Sequence, residues 1–207
     1  MLQGGAAMLL ACRLVRAEGG QPVSLDRALD DVARARSALR TLVGPFTQTR
    51  TIGLLAAKVQ STGTLTLVRP DRLRWELAPP DDVVYWVTPE GLAYRSRSGH
   101  GSVQGAAAKA PALDDLRVLL GGDLALLRAR YDLSVSSAEG GALSFEARPR
   151  PGPAAPPLER LAFTVAADRM TPTRATLVEG PRDRSDIVFG ALAKNVPVDP
   201  ALVRPPV

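Results

Sequence analysis

The side chains best suited to covalent or metal chemistry are thinly spread in this sequence. His100 is the only histidine and Cys12 the only cysteine. A disulfide or thiolate cluster needs more than one sulfur, and an activated nucleophile needs a base within hydrogen-bond reach. Ser61 and the adjacent carboxylates Asp81 and Asp82 are the remaining candidates for a hydrolase. None sits in a nucleophile motif or near the histidine in the chain. Asp81-Asp82 reads more simply as a turn. The sequence therefore points away from an enzyme, a metal site or a bound cofactor, and toward a protein that works by what it holds.

The residues with a usable pattern are apolar. From Ser61 to Leu77 the chain reads STGTLTLVRPDRLRWEL, which predicts two antiparallel strands with Arg69-Pro70-Asp71 at the corner. Leu65 and Leu67 share one face of the first strand, and Leu73, Trp75 and Leu77 share one face of the second. The opposite faces carry Thr64 and Thr66, then Arg72, Arg74 and Glu76. Pro70 presets φ for the turn and Asp71 can bond its own backbone there. Val83–Val87, reading VVYWV, is apolar on both faces and predicts a strand covered on both sides or walling an apolar space. Val83, Tyr85 and Val87 would share one of those faces. Leu113, Leu116, Leu119 and Leu120 recur at helical spacing, with Asp114 and Asp115 in the first turn and Gly121-Gly122 as the stop.

The elements that would position these residues are mainly β. Eighteen Gly, eighteen Pro and nine aromatics in 207 residues favour many short elements separated by turns. Ser24–Val43 predicts an amphipathic helix, with Ser24 as N-cap, acids early, arginines late, and Gly44-Pro45 as its end. Strands follow over 46–52, 58–68, 83–88 and 92–97. Residues 98–112 read as a mobile loop, and a short helix over 124–130 is capped by Asp123. Strands return over 131–137, 142–148, 158–166, 173–179 and 185–191, with a Pro-rich connection at 149–157. The C-terminal stretch NVPVDPALVRPPV is read as extended and wrapping over the sheet edge.

Residues 4–12, GGAAMLLAC, are far shorter than the roughly 18–20 residues of a membrane span. They read as the apolar region of a secretory signal ending near residue 17, with the start truncated. This leaves 18–207 as a single domain. A competing reading makes Leu9–Cys12 a lipobox with Cys12 lipidated, and a third is a disordered cytoplasmic leader. The net charge of +5 falls to +3 if Arg13 and Arg16 leave with the leader. The remaining arginines are scattered among acids without stacking aromatics, so nucleic-acid binding is not expected.

In order, four pieces of the chain resemble the LolA family of periplasmic outer-membrane lipoprotein carriers. They are an amphipathic helix running into Phe46-Thr47-Gln48-Thr49; Gly63-Thr64-Leu65 leading to Arg69-Pro70 and Trp75; Pro80-Asp81 followed by Glu90-Gly91; and Asp186-Ile187-Val188-Phe189 with Asn195 and Asp199. The resemblance spans about residues 25–205. It implies an unclosed, strongly curved antiparallel β-barrel with short lid helices over an apolar cavity. It further implies a monomer in the Gram-negative periplasm, taking acyl chains of a lipoprotein from an inner-membrane transporter to an outer-membrane receptor. By the same resemblance, Leu73, Trp75 and Leu77 wall the cavity, and Arg69 bonds the lid helices and controls opening; Leu65, Leu67, Val83, Tyr85 and Val87 from the strands and Leu116 and Leu120 from the lid are added to the cavity from the apolar faces they share. Carriage of another lipid from an export system, or lipid sensing by a regulatory binding protein, are the alternatives.

Overall fold

The computed structural model describes residues 23–55, 57–104, 111–121, 124–152 and 158–206. The leader with Cys12, and Asp123, lie outside them. After helix α1 (Leu25–Arg36) come six strands: β1 (Thr41–Ile52), β2 (Ala57–Val68), β3 (Arg72–Leu77), β4 (Val83–Thr88), β5 (Gly91–Ser96) and β6 (Gly99–Gln104). Helices α2 (Pro111–Gly121) and α3 (Ala125–Arg128) interrupt the sheet. The chain then returns to strands β7 (Tyr131–Ser137), β8 (Leu143–Pro149), β9 (Arg160–Val165), β10 (Pro172–Val178), β11 (Arg184–Phe189) and the short β12 (Ala193–Lys194).

All twelve strands form one antiparallel sheet in the order β6-β5-β4-β3-β2-β1-β11-β10-β9-β8-β7, with β12 also beside β1. Strands β6 and β7 stand at the two ends of this order and do not pair with each other, so the barrel is unclosed. The three helices pack on its inner face: Val32 from α1, Leu116 and Leu119 from α2 and Leu127 from α3 join one core with Leu65, Phe145 and Phe163 from the strands. Register explains the sorting. Leu65 pairs with Trp75, Trp75 with Tyr85 and Leu67 with Leu73, so one pleat face carries all of them inward.

Several boundaries depart from the sequence reading. The first helix stops at Arg36, and residues 41–45 are already strand. Gly44-Pro45 is therefore not a helix stop; it lies where β1 changes partner from β12 to β11. A Cβ on Gly44 would lie 2.6 Å from the Ala191 carbonyl oxygen, and Gly190 N donates to Pro45 O at 2.9 Å, so the pair admits a close crossing of backbones. Ser24 stands at the N-cap without a side-chain cap bond. Part of the expected loop at 98–112 is strand β6, with Gly101 opposite Tyr94 and the Tyr94 ring laid over it. The last segment does not wrap an edge. Residues 200–203 form a 3-10 turn on the outer face, where Leu202 O accepts from Trp86 Nε1 at 3.0 Å. That turn covers the outer side of β4, which explains why VVYWV is apolar on both faces.

Candidate functional site

The inner face is divided by an aromatic layer. Trp75 stacks on Phe46 with centroids 3.7 Å apart and meets Phe189 edge-on at 6.4 Å. Phe46 can lie there because its β2 neighbour is Gly63, where a Cβ would stand 2.1 Å from Glu76 O and 2.4 Å from the Phe46 ring. On one side of this layer the barrel is solid. On the other is a partly open cavity of about 440 Å³, walled by Trp75, Leu77, Tyr85, Leu92, Leu177 and Ile187 and roofed by Leu113 and Leu116 of α2. Its mouth is polar: Gln48, Arg50, Asp81, Glu179 and Ser185 line it, with Gln48 Nε2 donating to Ser185 Oγ at 3.4 Å, and the buried Ser61 also lines the cavity. A groove of about 630 Å³ crosses the outer face, lined by Pro45, Thr47, Thr64, Leu77, Pro79 and Val188, and is more open to solvent than the cavity.

Of the cavity residues named from sequence, Trp75, Leu77, Tyr85 and Leu116 line this space. Leu65, Leu67, Leu73, Val87 and Leu120 share the inner face but are packed into the solid half. Val83 lies opposite Leu77 at the near end of β4, outside the cavity lining. Ile52, Val59, Leu92, Leu113, Leu177 and Ile187 also line the cavity but are not among the residues named for it from sequence. Each belongs to an alternating or helical apolar pattern that could have flagged it.

Two buried polar groups hold the roof. Arg36, the last residue of α1, is fully buried; its Nη1 donates to Leu119 O at 2.5 Å and Leu120 O at 3.3 Å, and its Nε to Met170 O at 2.9 Å. Burial pushes its pKa down to about 10, which leaves it charged at neutral pH. Asp115, in the middle of α2, is also fully buried and accepts from Tyr131 Oη and an Arg130 Nη. Burial raises its pKa, and raises that of Tyr131 further with help from the carboxylate. Arg69 Nη1 donates to Arg36 O and, at 3.4 Å, to Leu39 O. Arg69 therefore bonds the end of α1 and the residues after it rather than α2 or α3, and it is Arg36 that reaches α2. Asn195 accepts from Arg40 N at 2.7 Å and donates to Ala38 O at 3.1 Å, fixing the connection from α1 to β1.

Among the described residues, no three His, Cys, Asp or Glu side chains gather to hold a metal. None of the described helices is long and apolar enough to cross a membrane.

A curved, unclosed antiparallel sheet with helices over an apolar hollow defines the class of half-barrel proteins. The chain belongs to the LolA family: the family model described as outer membrane lipoprotein carrier protein LolA matches residues 37–204. Similar solved structures include MucB in complex with MucA from Pseudomonas aeruginosa, at 14% identity and a TM-score of 0.50, covering 86% of this chain and 59% of that one. A DUF1329 family protein from Desulfovibrio piger has 12% identity and a TM-score of 0.47, with coverage of 86% and 96%. The Mycobacterium tuberculosis lipoprotein LppX has 14% identity and a TM-score of 0.44, with coverage of 85% and 99%. This chain thus spans about three-fifths of MucB. No curated protein sequence matches.

Proposed function

We propose that this protein is a periplasmic carrier that seats acyl chains of lipoproteins in the cavity under α2 and moves them from inner to outer membrane. Residues 1–17 would act as its export signal and 18–207 as the carrier domain. The observation that carries this reading is the half-open cavity of about 440 Å³ with apolar walls and a polar mouth. Its size falls within the roughly 300–1,000 Å³ of small-ligand sites. Each methylene removed from water is worth about 0.8 kcal/mol, so a carrier crossing an aqueous compartment needs such a container. The family's description as an outer-membrane lipoprotein carrier supports the cargo class. A membrane transporter and a receptor are the partners this reading requires. Arg69 would then act on the lid at one remove, by holding the Arg36 carbonyl while Arg36 holds α2.

A carrier of another lipid, or a lipid-sensing regulator, would use the same cavity. The test is native mass spectrometry and organic extraction of the mature protein from a bacterial periplasm, with Arg69→Leu alongside. Co-purifying acylated protein that passes to acceptor membranes, with slowed transfer in Arg69→Leu, supports lipoprotein carriage. Lipid without protein points to the second cargo class. Cargo that is retained while a membrane protein co-purifies points to regulation. Empty protein that takes up no fluorescent acyl probe sinks all three.

A further inference from the structure

The cavity mouth lies beside the β1–β2 hairpin tip, where Gly53–Leu55 form a 3-10 turn. Leu54 is 95% exposed, the most exposed large hydrophobic side chain among the described residues. A single exposed leucine is ordinary; three observations set this one apart.

Ile52 and Val59, on the two strands leading to the tip, both line the cavity, and Val59 is itself 40% exposed. Apolar side chains therefore stand on both strands between the cavity and the tip. The tip is also braced. Gly53 N donates to Asp183 Oδ1 at 2.9 Å, and a Cβ on Gly53 would stand 2.1 Å from Cβ of Arg182, so the β10–β11 turn supports the hairpin from one side. On the outer face of the same end, a groove of about 630 Å³ is lined by Lys58, Arg160, Arg182 and Arg184 and by no carboxylate. Arg160 and Arg184 pair with Glu146 and Asp186. Lys58, Arg182 and, at the cavity mouth, Arg50 are exposed and held in no ion pair among the described residues. The carboxylates of the turn are Asp183, which accepts from Gly53 N, and Glu179, which faces the cavity.

We propose that this end of the half-barrel is a membrane-contact surface. Leu54 enters a bilayer whose anionic headgroups are met by Lys58, Arg182 and Arg50, and an acyl chain passes between bilayer and cavity along Ile52 and Val59. One apolar anchor with a few cations gives weak, reversible attachment, which lets a carrier leave the membrane after each visit. The passage of an acyl chain rests on the carrier reading; the docking does not.

The test mixes the protein with vesicles of phosphatidylcholine, with and without phosphatidylglycerol, at low and high salt, and measures co-sedimentation. Leu54→Asp and the double variant Lys58→Gln/Arg182→Gln are compared, with uptake of a soluble fluorescent fatty acid measured in parallel. The parent protein should bind the phosphatidylglycerol vesicles in a salt-sensitive way. Leu54→Asp should lose most of that binding and the double variant roughly fivefold per charge removed, while all three proteins keep fatty-acid uptake. Failure of the parent protein to bind, or undiminished binding by Leu54→Asp, overturns the proposal. Vesicle binding without fatty-acid uptake in any of the proteins removes the carrier reading and leaves the docking surface standing.

Discussion

The Nη1 of Arg36 donates to the carbonyl of Leu119 at 2.5 Å, joining the end of α1 to the end of α2 across 83 residues of sequence. Because the same guanidinium also serves Leu120 O and Met170 O, it ties the roof to the β9–β10 turn as well. Arg36→Met keeps much of the stem and leaves buried carbonyls without donors, at about 1–3 kcal/mol for each group stranded. The expected outcome is a lower denaturation midpoint together with faster hydrogen exchange of the amides of α2. Unchanged exchange across 111–121 would show that Arg36 does not hold the roof.

Asp168 gives the acid side of the stability profile a defined sign. Burial alone would raise its pKa, but Lys194 Nζ at 2.8 Å, Thr171 Oγ1 at 2.6 Å and the backbone N–H groups of Thr171 and Met170 outweigh it and hold it well below the usual carboxylate range. A group depressed in the folded state contributes fully above the unfolded value of about 3.9 and loses that contribution as pH falls through the folded value. Asp168→Asn should therefore cost stability at neutral pH and flatten the loss on acidification. Urea titrations from neutral to acid pH measure it, and parallel curves for the two proteins would refute the assignment.

Gly63→Ala should break the aromatic layer. The added methyl meets the Glu76 carbonyl oxygen and the Phe46 ring, and the backbone atom cannot rotate away. A loss of roughly 1–3 kcal/mol is expected, with reduced near-ultraviolet circular dichroism from Trp75. An intact spectrum and melting temperature would mean that Phe46 does not depend on the glycine.

Leu113→Asp places a carboxylate at the roof of the cavity, on a residue that is only half-buried. Affinity for an acyl probe should fall by about tenfold or more, since the charge forbids dry contact with methylenes, with little change in melting temperature. Equal affinity would move the ligand elsewhere.

The hairpin from Ser61 to Leu77 was legible because alternation and an Arg-Pro-Asp corner are local signals, and both strands form as read. The inner face was legible for the same reason. Alternation tells which way a side chain points, but not whether the space it faces is filled. Thus Trp75 and Leu77 meet the cavity, whereas Leu65 and Leu73, on the same face, meet solid core. Arg36 was invisible because a basic residue in the last turn of a helix has an ordinary explanation in the helix dipole. Its burial depends on α2 and the β9–β10 turn, both distant in the chain. Gly44-Pro45 misled for a related reason, since a helix stop and a change of strand partner need the same two residues.

The stack of Trp75 on Phe46, closed from the side by Phe189, has a final consequence. It stands between the hollow and the packed core of the barrel, so on the proposed carrier reading an alkyl tail admitted at the open end would advance only as far as those rings. The aromatic layer would then be a gauge of tail length.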